Sequence, residues 1–111
     1  MKTYSAESGY VYQYYFAGQR FATRDRKTGV EYVFQVSADR KTETAVSVFV
    51  EDSVVEDWIA GSGRQLRGPH RYAIAKIALR NALDVRRPEV AFAEVRPFAE
   101  EVAAILEELD V

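Results

Sequence analysis

The sequence predicts an α+β fold: an antiparallel three- or four-stranded meander over about residues 10–50, then two or three helices (about 54–60, 69–84 and 97–109) packed on one face of the sheet. Three observations predict it. Aromatic and β-branched residues alternate with polar ones in the first half, the period of a strand. Apolar residues recur three and four positions apart in the second half, the period of a helix. Glycine, proline and aspartate punctuate the boundaries. The chain has 111 residues, 48% hydrophobic and 13% aromatic, which suits one domain, 1–111; half that length would bury too little core.

Met1 to Gly9 is polar and lacks the apolar core of a secretory signal. Tyr10 to Phe16 is aromatic or β-branched at six of seven positions and predicts the first strand. Ala17-Gly18 is read as a tight turn, with a second strand from Gln19 to Asp25. Arg26 to Gly29 predicts a turn, with Gly29 supplying conformational freedom. Val30 to Ser37 is the clearest strand, with Tyr32, Phe34 and Val36 on one side. Ala38 to Thr42 turns the chain, and Glu43 to Val50 places Val46, Val48 and Val50 on one side. These valines and the Tyr32 side are expected to meet the helices. Asp25-Arg-Lys-Thr28 recurs as Asp39-Arg-Lys-Thr42. Both copies read as solvated turns at opposite ends of the sheet, roughly 23 Å apart along a seven-residue strand.

In the helical half, Ser53-Val-Val-Glu56 fits a capping box, and Gly61-Ser-Gly63 ends the first helix. Pro69 suits the first turn of the second helix, and Pro88 bars its continuation. Tyr72, Ala75, Ala78, Leu79, Ala82 and Leu83 cover one wide side of that helix, while Ala73 and Ile77 lie almost opposite. Such a helix is expected to be buried on two sides. Pro97 opens the third helix, whose apolar face is Phe98, Val102, Ile105, Leu106 and Leu109.

The formal net charge is −2, which excludes a generally basic nucleic-acid binder. The total hides segregation. Residues 62–87 hold seven cations against Asp84, and residues 88–111 hold seven acids, Glu89 among them, against Arg96. The basic helix is expected to lie beside acidic ones, or beside a partner's.

The absence of cysteine excludes disulfides, thiol catalysis and cysteine-ligated metals. His70 is the single histidine, too few for a transition-metal site of preferred ligands. No catalytic residue, metal or cofactor is assigned. No apolar run approaches the ~20 residues that span a bilayer, so no membrane partner is expected and the location is expected to be cytoplasmic.

The leading expectation is a small non-catalytic interaction module that forms a homodimer. Its interface residues are Tyr15, Val33 and Phe49 on the second sheet face, with Ile77 on the two-sided helix. The alternative is an anion or nucleic-acid (RNA or DNA) site. Gly61 to Arg71 is glycine-rich, carries three arginines and leads into a helix N-terminus, where free N–H groups and guanidinium forks attract phosphate or carboxylate. That site comprises Arg64, Arg67, His70, Arg71, Lys76 and Arg80. With Arg67, His70 and Arg71 before an alanine-rich helix bearing Lys76, Gly61 to Leu83 is similar to the C-terminal part of double-stranded-RNA-binding domains. The similarity covers about a fifth of the chain. It departs from the pattern in lacking a lysine cluster at the helix start and in the helix that precedes it, and no membership is assigned.

Overall fold

The computed structural model describes residues 1–88 and 94–111. Four antiparallel strands run in sequence order, β1 (Lys2–Ser5), β2 (Val11–Arg24), β3 (Lys27–Ser37) and β4 (Thr44–Glu51). Three described helices follow, α1 (Asp52–Ser62), α2 (Gly68–Val85) and α3 (Ala99–Leu109). The α+β class and the order of elements agree with the sequence pattern. Glu89, counted in the acidic block, lies outside the described residues.

The strands differ from expectation in one instructive way. Gln19 to Asp25 is not a separate strand, and Ala17-Gly18 is not a turn. β2 runs through both for 14 residues, with a bulge between Phe16 and Gly18. A bulge inserts one unpaired residue, here Ala17, and bends the strand without ending it. Gly18 adopts φ 153° there, a conformation that suits glycine. The reversal comes later and is tighter than expected. Asp25 and Arg26, at φ 52° and 67°, form a two-residue connection between the paired Arg24 and Lys27, the backbone handedness that matches strand twist. β3 therefore begins at Lys27 and absorbs Gly29. The fourth strand comes from the polar N-terminal stretch, where Lys2 to Ser5 pairs with Val11 to Tyr14.

The side of the sheet bearing Tyr12, Tyr14, Tyr32, Phe34, Val36, Val46 and Val48 is the buried one, each 2% exposed or less. α2 packs on it through Ile74, Ala75, Ala78, Leu79, Ala82 and Leu83. α3 adds Val102, Ile105 and Leu106 to the same core, so α2 is enclosed by sheet and helix within one chain. Phe98, expected on the apolar face of α3, is 75% exposed because the helix begins one residue later, at Ala99.

The Ser53–Glu56 capping box does not form. α1 starts at Asp52, and the Ser53 hydroxyl instead donates to the Glu51 carboxylate at 2.7 Å. Gly63 ends α1 as expected, at φ 70° with its N–H on the Ile59 carbonyl. The second tetrapeptide turn is held by Asp39, whose carboxylate accepts the N–H groups of Lys41 and Thr42 at 2.8 Å each. These bonds hold the Asp39 carboxyl below its ordinary range.

Residues 94–96 close the β4 edge. The Phe49 N–H donates to the Val95 carbonyl and the Val95 N–H to the Ser47 carbonyl, both at 2.8 Å, in a parallel bridge between Val48 and Val95. No described helix is long and apolar enough to cross a membrane.

Candidate functional site

The bulge decides what each side of the β2–β3 arm presents. After Phe16, strict alternation would turn Gly18 and Arg20 toward the helices. The extra residue shifts the phase by one. Gln19 now lies opposite Tyr32 and Phe21 opposite Val30 on the helix side, while Arg20 faces Glu31 on the other side.

On the helix side this produces an aromatic groove of about 700 Å³. Its floor is Phe16, Phe21, Val30 and Tyr32, and its wall is Gly68, Pro69, Arg71 and Tyr72 at the start of α2, with Asp52 of α1 at one end. The inner end is packed ring against ring. Phe16 meets Tyr72 edge-on with ring centroids 5.0 Å apart, and Phe34 at 5.5 Å, within the range of favourable aromatic pairs. The outer end is open: Phe16 is 38% exposed and Phe21 90%. Asp52 and Arg71 face each other at 4.0 Å, each side chain about a third exposed. Burial pushes the Tyr32 phenol above its ordinary range, with Arg71 lowering it and Asp52 raising it. The groove thus offers apolar area and one charge of each sign.

The other side of the arm is cross-linked. Glu31 is 2% exposed. It accepts from Arg20 at 2.5 Å and Arg24 at 2.7 Å. Burial pushes its carboxyl up, but the bonds from Arg20 and Ser47 and the charges of Arg20 and Arg24 outweigh this and hold it below the usual range. Arg24 reaches on to Glu94 at 2.9 Å, and Arg96 joins Asp25 and Glu51 at 2.8 Å each. The guanidinium carbons of Arg24 and Arg96 lie 5.4 and 5.2 Å from the centre of the Phe49 ring, a cation–π arrangement. Phe49 is fully buried by its own chain. As an interface residue it is a correction: the arginines and the 94–96 segment cover it.

The other expected interface residues are dispersed. Tyr15 is 39% exposed and donates to Glu43 at 2.9 Å. Val33 lies partly exposed on the second sheet face, and Ile77 packs partly buried against the core.

The six residues of the expected anion site do not assemble into one surface. Arg64 donates to the main-chain oxygen of Val111. Arg67 is the N-cap of α2, and its N–H donates to His70 Nδ1 at 3.2 Å. His70 is therefore a capping acceptor at the helix start. Arg71 belongs to the groove. Lys76 and Arg80 lie roughly 140–180° around α2 from Arg71 at 100° per residue, beside β1. The basic helix α2 does lie beside the acidic α3, where Asn81 donates to Glu101 at 3.0 Å. Among the described residues only Arg71 of Arg64, Arg67, Arg71, Lys76 and Arg80 enters an ion pair. The remaining pairs come from the β2–β3 arm and Arg96.

Sequence reasoning missed Phe16, Phe21, Asp52 and Tyr72 as a group. The available signal was Gly18 inside an otherwise strand-like run, a mark of a bulge as well as of a turn. No protein-family model, curated protein or solved structure matches the chain.

Proposed function

We propose that the chain is a small non-catalytic interaction module that self-associates as a homodimer, groove against groove about a two-fold axis. The observation that carries this reading is Phe21, 90% exposed at the mouth of an aromatic groove. Contiguous apolar surface of this kind is uncommon on a monomer and usually meets a partner. A two-fold contact brings the same patch together from both copies. The charges suit that symmetry, since Asp52 and Arg71 are loosely paired and partly exposed, and each can meet its opposite on a second copy. The outer edge of β2 beyond Tyr14 also pairs with no strand among the described residues, leaving backbone groups for association. A cytoplasmic setting completes the proposal, in keeping with a chain that contains no cysteine.

Light scattering and sedimentation at micromolar concentration test it. The expected species is a dimer. Phe21→Ser should weaken dimerisation about tenfold or more, with the circular dichroism spectrum and melting temperature of the isolated subunit unchanged. A wild-type chain that stays monomeric, or a Phe21→Ser variant that dimerises equally well, overturns the reading.

The nucleic-acid alternative needs a continuous cationic face, and Arg64, Arg67, Arg71, Lys76 and Arg80 are spread around α2 and its preceding loop.

A further inference from the structure

A second feature lies further along α2, one and two turns beyond Tyr72 of the groove wall. Lys2 pairs with Tyr14 across the β1–β2 ladder, so its side chain shares the helix-facing side of the sheet. Tyr14 is also the residue to which Arg80 of α2 donates, and Lys76 lies one helical turn before Arg80 on α2. Arg80 is fixed. Its Nε and Nη2 donate to the Tyr14 hydroxyl at 3.1 and 2.7 Å. Its guanidinium carbon lies 5.2 Å from the centre of the Tyr4 ring and 5.8 Å from that of Tyr14. Asp84, one turn after Arg80, accepts the Tyr4 hydroxyl at 2.7 Å and the Glu7 N–H at 3.0 Å and forms no ion pair among the described residues. Among the described residues none of Lys2, Lys76 and Arg80 forms an ion pair with a carboxylate.

Neighbouring cations repel one another, and among the described residues no carboxylate is ion-paired with any of the three. The consequence is visible in Lys76. The nearness of Lys2, then burial, then the charges of Lys2 and Arg80 lower its ammonium to about 8. Such an arrangement is stabilised by an external anion, which converts mutual repulsion into shared attraction.

We propose that Lys2, Lys76 and Arg80 form a binding site for the dianion of a phosphate monoester. The two ammonium groups supply mobile donors and compact charge. Arg80, pinned by Tyr14, supplies a fixed positive charge and its Nη1 group, which bonds to no described residue. A dianion matches three cations better than the single charge of a phosphodiester. The site is independent of the dimer reading, because it shares no residue with the groove.

The test is a titration of the full chain with inorganic phosphate, phenyl phosphate and a short single-stranded DNA, followed by amide chemical shifts. Phosphate and phenyl phosphate should shift Lys2, Lys76 and Arg80 saturably. Lys76→Ala and Lys2→Ala should each weaken binding about tenfold, a 1.4 kcal/mol change. Arg64→Ala and Phe21→Ser should leave it unchanged. Lys76→Gln, a good helix former, checks that the loss follows charge and not folding. Absence of a saturable shift up to about 10 mM phosphate overturns the proposal. So does equal loss in Arg64→Ala, or tighter binding of the DNA than of phenyl phosphate at these residues.

Discussion

Replacing Gly29 with alanine is expected to destabilise the fold by about 3 kcal/mol, the upper end of the range for overpacking. A Cβ at this position would lie 2.4 Å from the Val50 carbonyl oxygen and 2.7 Å from the Phe49 ring. Neither neighbour can yield. The carbonyl belongs to β4, and the ring is held between Arg24 and Arg96 while its own N–H is bound to Val95. Glycine is required here for lack of space, not for a turn, because Gly29 is paired with Ala22 and Glu51 in mid-sheet. Urea denaturation should show a lower midpoint with an unchanged slope. Gly61→Ala is the contrasting substitution. Gly61 lies inside α1 with nothing within 4 Å of its Cβ position, and alanine there should stabilise by up to about 1 kcal/mol. Equal effects at the two positions would contradict the packing described around Phe49.

The second large effect is expected at Glu31. Glu31→Gln removes a buried negative charge on which Arg20 and Arg24 converge, and should cost about 2 kcal/mol at neutral pH, the scale of a charged hydrogen-bonded pair deprived of one partner. The pH dependence follows from the direction of its shift. The folded carboxyl is held below its ordinary value, near 4.3 in an unfolded chain. Its contribution is therefore fully present above that value and is lost as pH falls through the folded one. Wild-type stability should decline between about pH 5 and 3, and the variant should decline less steeply. Asp39 and Glu51 are shifted in the same direction, so a shallower acid limb remains. Thermal melts across this range check both parts. A variant with the wild-type slope would show that Glu31 is not a main source of the acid sensitivity.

Much of the architecture was legible because it depends on periodicity. The valines of β4, the Tyr32–Phe34–Val36 side of β3 and the alanine-rich face of α2 each declared their burial through spacing alone. The arm was not legible, and a single residue is the reason. Ala17-Gly18 satisfies the composition of a two-residue turn as well as that of a bulge. The two choices give every residue from Gln19 to Arg24 different neighbours, since the turn folds this stretch back on Tyr10–Phe16 and the bulge carries it on along β3. With the turn, Phe21 has its neighbours on that first strand; with the bulge, it joins Tyr32 and Tyr72 around one groove. β1 was hidden for a different reason. Its residues Lys2 to Ser5 are mostly exposed, so no hydrophobic alternation marked them, and pairing with β2 supplied what local pattern did not. The six basic residues were grouped by proximity in sequence, and helical geometry then divided them.

The closure of the β4 edge by residues 94–96 bears on the order in which the chain acquires its structure. The meander is joined by short connections, so its strand pairs close small loops. Arg96 meets Asp25 across 71 residues and Glu51 across 45. Loop-closure entropy makes such distant contacts slow to reward a searching chain. The local meander can therefore assemble before either α2, whose Arg80 and Asp84 reach Tyr14 and Tyr4 across 66 and 80 residues, or the 94–96 segment over Phe49. Contacts made after the rate-limiting step govern how fast a protein comes apart more than how fast it forms. Loss of the Arg96 bonds to Asp25 and Glu51 is therefore expected to quicken unfolding more than it slows folding.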